Sequence, residues 1–159
     1  MSKLLAILRA SSQRPWLMLA GLLTTAITIA WLNSTQGIFF TESDRAFYFA
    51  GSVTGAVVRT CLLVAITFAV LRRLKKPADL RALLGASCVV NMAVQLSMAP
   101  WSAWRFSWMQ GVCLAAALLL LAAMLKWAMD APWRQTIAAT VLVVFTLGVT
   151  LALGVGVKV

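Results

Sequence analysis

The sequence predicts an all-α, polytopic membrane protein: one transmembrane domain over residues 1–159 with five transmembrane helices, and three observations predict it. Of the 159 residues, 62% are hydrophobic and only 11% are charged, with a mean hydropathy of +0.93. A soluble domain carries about a quarter charged residues, so this chain lacks the polar surface to cover a water-facing globule. The apolar residues fall in long runs, each near the roughly 20 residues that a helix needs to cross the hydrocarbon core. The 14 Lys and Arg residues collect in short segments between those runs, as loops flanking membrane spans do.

The N-terminal stretch SKLLAILRASSQR sets Leu4, Leu5, Ile7 and Leu8 among Lys3, Arg9 and Arg14, the pattern of a short helix lying in the membrane interface. A cleaved signal peptide is disfavoured, because the following apolar run is long and the small-residue cleavage pattern is poor. That run, PWLMLAGLLTTAITIAWLN at residues 15–33, is span one. Pro15 suits a helix first turn, and Trp16 and Trp31 suit the two interfaces. The segment STQGIFFTESDRAFYF holds two of the four carboxylates, Glu42 and Asp44. Thr41 and Asp44 have capping-box spacing, and Phe39, Phe40, Phe47, Tyr48 and Phe49 suit the headgroup level.

Span two covers about 50–71, and RRLKKPADLR then packs five basic residues around one aspartate. Span three covers about 82–100 and leads into Trp101, Trp104 and Trp108. Span four covers about 106–126; KWAMDAPWR, with Lys126 and Arg134, precedes span five at about 135–157. With the N-terminus inside, inner segments carry ten basic residues: Lys3, Arg9, Arg14, Arg72, Arg73, Lys75, Lys76, Arg81, Lys126 and Arg134. Outer segments carry three, Arg45, Arg105 and Lys158. This bias predicts N-terminus inside and C-terminus outside, in a bacterial inner membrane. Arg72, Arg73, Lys75, Lys76 and Arg81 are the candidate contacts for anionic lipid. The net charge of +10 comes with no DNA- or RNA-reading motif, so nucleic acid is not an expected partner.

Arg59 interrupts span two. A charge there costs roughly 2.5–3.5 kcal/mol on insertion scales. Residues four apart stack on one helix face, so Gly51, Gly55 and Arg59 share a face, and Gly-xxx-Gly is a candidate helix-packing surface. In span three, Ser87, Asn91 and Gln95 recur every four residues. Arg59 and Gln95 lie at matching depths, roughly 9 and 8 Å from the outer edge at 1.5 Å per residue. Arg59, Ser87, Asn91 and Gln95 form the candidate intramembrane cluster, with Arg59 donating to the amide oxygens of Asn91 and Gln95. The competing expectation is that Arg59 leans towards its helix N-terminus and snorkels to the outer headgroups.

No span contains Asp, Glu or His, and the chain has no histidine at all. Proton-coupled transport and intramembrane proteolysis both need such groups, so no enzyme is expected, and no cofactor. Cys61, Cys88 and Cys113 lack metal-ligand spacing and read as small buried hydrophobes. Thr136, Thr140, Thr146 and Thr150 in span five suit bonds to their own i−4 carbonyls; a pore lining is the alternative.

In layout the chain resembles the bacterial members of the YIP1-type integral membrane family. The features that carry this are RPW before span one, the longer outer segment before span two, the inner loop RRLKKPADLRALLG and three closely spaced spans. LLGAS and Met98-Ala99-Pro100 add to it around span three. The resemblance implies a non-enzymatic helical membrane protein with a trafficking or assembly role, and it assigns no site residues. Three functions are expected in this order. The first is an accessory, assembly or scaffolding subunit of a larger inner-membrane complex. The second is a small homo-oligomeric transporter or channel for an anionic or lipid-like substrate, and the third a membrane organiser binding anionic lipid.

Overall fold

The computed structural model describes residues 2–36, 41–99 and 107–155. Among them stand six α-helices: α1 (Ser2–Ser12), α2 (Pro15–Gln36), α3 (Glu42–Arg73), α4 (Leu80–Ser97), α5 (Ser107–Met129) and α6 (Trp133–Val155). Five of these, α2 to α6, are long and apolar enough to cross a membrane. Phe39, Phe40, Pro100, Trp101, Trp104, Arg105, Gly156 and Lys158 lie outside the described residues.

Local chemistry sets the boundaries. Proline disfavours helical backbone at the residue before it, so α1 closes before Pro15. The N–H groups of Gln13 and Arg14 turn back to the carbonyls of Ala10 and Ser11 at 3.3 and 3.2 Å. Pro15 then opens α2, where it has no N–H to leave unpaired.

The helix that carries the second predicted span begins at Glu42, where the Thr41–Asp44 spacing suits a helix start and ahead of the apolar stretch from about 50. Thr41 is the N-cap: Asp44 N–H donates to its hydroxyl at 3.2 Å, and Thr41 N–H donates to Asp44 Oδ2 at 3.1 Å. That reciprocal pair satisfies two amides that would otherwise face nothing, so the helix nucleates upstream of its apolar stretch. Phe47 and Tyr48 therefore belong to the first turns of α3, and its 32 residues extend about 48 Å at 1.5 Å per residue.

At the other end Lys75 adopts φ 53°. Lys76 N–H reaches Leu71 O at 2.9 Å and Lys75 N–H reaches Arg72 O at 3.0 Å, the two bonds of a Schellman motif. Asp79 caps α4 by accepting from Arg81 N–H at 2.9 Å.

α4 is the hub. It packs against α1, α2, α3 and α5, and half of its apolar window is buried, against 17–33% for the other four spans. Its central position explains why its polar residues are inside: Ser87, Asn91 and Gln95 are all buried. α6 lies at the edge, against α5 and α3, with Ile137, Val141, Phe145 and Val149 exposed along one side. Its threonine hydroxyls are taken up internally; Thr140, Thr146 and Thr150 each donate to the i−4 carbonyl at 2.8 Å.

One face of α1 is docked into the bundle against α4 and α5. Leu8 is fully buried among Leu83, Met124 and Leu125 in the core, while Lys3, Ile7 and Arg9 stay exposed. The approach is close: a methyl group at Gly85 would collide with the Ser11 carbonyl oxygen. Without a hydrophobic force between helices in lipid, such small-residue contacts are where dispersion gains accumulate. At the opposite end, Asn33 Nδ2 donates to Met98 O at 2.8 Å and to Tyr48 Oη at 3.3 Å, tying α2, α3 and α4 together.

Candidate intramembrane groove

At 100° per residue, Asp44, Tyr48, Gly51, Gly55 and Arg59 fall on one face of α3. With Phe47 and Ser52 beside them, and Gln95 and Met98 from α4, they line a groove of about 580 Å³. Two buried donors meet there without partners: Arg59 Nε and Gln95 Nε2 form no hydrogen bond. Gln95 is only 3% exposed, so water does not compensate its amide. An unmet buried donor costs about 1–3 kcal/mol. One and two turns beyond Arg59, Leu63 and Thr67 are buried, and the groove ends in packed core. Thr67 Oγ1 is also unpaired, below the groove.

The candidate cluster divides. Arg59 and Gln95 line the same groove, but no hydrogen bond joins Arg59 to Gln95 or Asn91 among the described residues. Ser87 and Asn91 are not part of its lining. Ser87 Oγ points at Met124 Sδ, 3.9 Å away, and Asn91 Nδ2 donates to Ser87 O at 3.2 Å. The reason is helical drift. A four-residue step overshoots one turn by about 40°, so the eight residues from Ser87 to Gln95 rotate about 80°. Ser87 therefore meets α5 while Gln95 reaches the α3 side.

Gly51 and Gly55 do share a face with Arg59, but among the described residues no helix packs on them. A Cβ added at either would meet nothing within 4 Å. Their missing side chains widen the groove instead. Asp44, which the sequence placed outside and apart from Arg59, lines the same groove because α3 is continuous. It stands 15 positions from Arg59, about 22 Å along the axis. The capping-box spacing of Thr41 and Asp44 was the signal in the sequence for a helix that starts there.

On the basic side, Arg72, Arg73, Lys75 and Arg81 are exposed and Lys76 half-buried. The Arg72 guanidinium sits 5.7 Å from the Phe68 ring centroid, a cation–π distance. Lys126 Nζ donates to the Ala131 carbonyl. A second, mainly apolar cleft of about 590 Å³ opens between α3 and α6, with Val70, Arg73, Met129 and Leu142 in its walls. The three cysteines are free: Cys61 exposed, Cys113 half-buried and Cys88 buried.

Compared with known proteins, the chain matches no family model, no curated protein and no solved structure. The YIP1-type resemblance therefore rests on layout alone.

Proposed function

We propose that this protein is a non-enzymatic accessory, assembly or scaffolding subunit of a larger complex in the bacterial inner membrane. The observation that carries this reading is the α3 groove. A chain of five membrane-length helices keeps one glycine-lined face open and sets two unpaired donors, on Arg59 and Gln95, at its inner end. Such a face is unfinished as a monomer, and a partner in the membrane completes it. The charge bias supports an N-terminus inside and a C-terminus outside, with α1 at the inner interface. In that orientation Arg72, Arg73, Lys75, Lys76 and Arg81 meet anionic headgroups and hold the subunit in register.

The transporter reading uses the same two donors, but the groove closes at Leu63 and Thr67, which favours a seat over a path. The test is mild-detergent purification of tagged wild type and Arg59→Leu, with co-purifying proteins and lipids quantified by mass spectrometry. A stoichiometric membrane protein that is lost from Arg59→Leu is the expected result. A partner-free wild type would overturn the proposal, and Arg59-dependent anion flux in liposomes would replace it with transport.

A further inference from the structure

We infer that the α3 groove seats a transmembrane helix of a different protein, one that carries a carboxylate at the depth of Arg59 and a basic residue at the level of Asp44. This rests on the subunit reading above and names the partner's chemistry.

Four observations converge on it. Arg59 Nε and Gln95 Nε2 are both donors, both buried and both unmet in one groove, so the missing group is an acceptor. A carboxylate offers two oxygens, one for each.

Depth separates a carboxylate on a helix from a lipid phosphate. Counting about 20 residues of hydrocarbon outwards from the basic end at Arg72 puts the outer edge near Val53. Arg59 is then about 9 Å inside it, below the level where phosphates sit. The mouth of the groove bears the carboxylate of Asp44. That negative mouth repels an anionic headgroup and attracts a cation. A helix with an acidic and a basic residue about 22 Å apart matches both poles.

Shape agrees. From Phe47 to Arg59 the lining runs 12 residues, about 18 Å, and among the described residues a Cβ built on Gly51 or Gly55 meets no atom within 4 Å. A straight helix backbone lies along such a surface at close range.

A second copy of this chain does not fit. Its four carboxylates are Glu42, Asp44, Asp79 and Asp130, all at helix ends or in loops, so no copy in the same orientation can bring one to Arg59. Two copies would also set Arg59 against itself.

The test uses the full-length protein in its native membrane. The photoreactive residue benzoylphenylalanine replaces Phe47, an exposed aromatic of the groove lining, and in a separate variant replaces Leu119, which is 61% exposed on α5. After irradiation the adducts are identified by peptide mass spectrometry. The expected adduct at position 47 is a peptide from a transmembrane segment of another protein with Asp or Glu about one-third of the way through its span. Adding Arg59→Leu should cut its yield about 3- to 30-fold, the range for an interhelical polar contact. Gly55→Leu, which fills the groove and leaves every charge in place, should abolish co-purification.

A lipid adduct, an adduct with a second copy, or a peptide free of acidic residues overturns the inference. So does the absence of any adduct at position 47. If a protein partner forms its adduct from position 119 instead, the seat is wrong and the subunit reading stands. If the chain purifies alone from every variant and from wild type, the subunit reading itself fails.

Discussion

Replacing Gly85 by alanine adds one methyl group, and two opposing terms set its effect. Glycine in a helix interior costs about 1 kcal/mol relative to alanine, so substitution alone should stabilise α4. Against this, the new Cβ would collide with Ser11 O and stand 3.1 Å from both Ser11 C and Ser12 Cα. All three are backbone atoms, so no rotamer change relieves the clash and α1 must move as a unit. Overpacking of this kind costs about 1–3 kcal/mol, and displacing α1 also uncovers Leu8, which is fully buried. The clash and the uncovering of Leu8 outweigh the propensity gain, for a net loss of up to about 2 kcal/mol.

Gly55→Ala is the matched control, because its Cβ meets nothing within 4 Å; it keeps the propensity gain and should be neutral to stabilising by up to about 1 kcal/mol. Thermal unfolding in one detergent compares the two, and hydrogen exchange of the α1 amides locates the damage. If Gly85→Ala unfolds no earlier than Gly55→Ala, and α1 amides stay protected, the α1–α4 packing described above is wrong.

Three further outcomes follow from particular contacts. Lys75 holds a left-handed backbone at φ 53°, so Lys75→Gly should raise stability by about 1 kcal/mol in the same melt. Thr41→Val removes the hydroxyl that accepts from Asp44 N–H, leaving the backbone N–H bond to Asp44 Oδ2 in place, and should cost about 1 kcal/mol, with faster hydrogen exchange confined to the first turn of α3. Asn33→Leu deletes the donor to Met98 O and Tyr48 Oη. It should cost about 0.6–2 kcal/mol, read as a lower unfolding midpoint, and Asn33→Gln should not restore it if geometry matters.

The helices were legible because lipid leaves backbone groups no partner outside the helix, so each span is written as one apolar run. Caps decided the boundaries, and they moved them. Thr41 and Asp44 carry α3 far upstream of its apolar stretch, while Trp133 opens α6 just ahead of the predicted start at 135.

The candidate site was half legible. Matching depth put Arg59 and Gln95 at one level, since 1.5 Å per residue holds along any helix, and both line one groove without the expected hydrogen bond between them. Direction around the axis was not recoverable from four-residue spacing, which drifts, so Ser87 turned to Met124 of α5 and Asn91 bonds back to the Ser87 carbonyl of its own helix. The glycine pattern at 51 and 55 was visible, but which helix, if any, covers it depends on how separate helices pack. The same limit hid the Ser11–Gly85 approach, a contact between elements more than 70 positions apart.

The most direct measurement of the central claim is the native mass of the detergent-extracted wild-type particle beside that of Arg59→Glu. The chain alone is 17.2 kDa. The account predicts a wild-type particle heavier by one stoichiometric partner protein, and an Arg59→Glu particle at the mass of the chain alone, because a carboxylate in the groove repels the one it should receive. Equal masses for the two would contradict it.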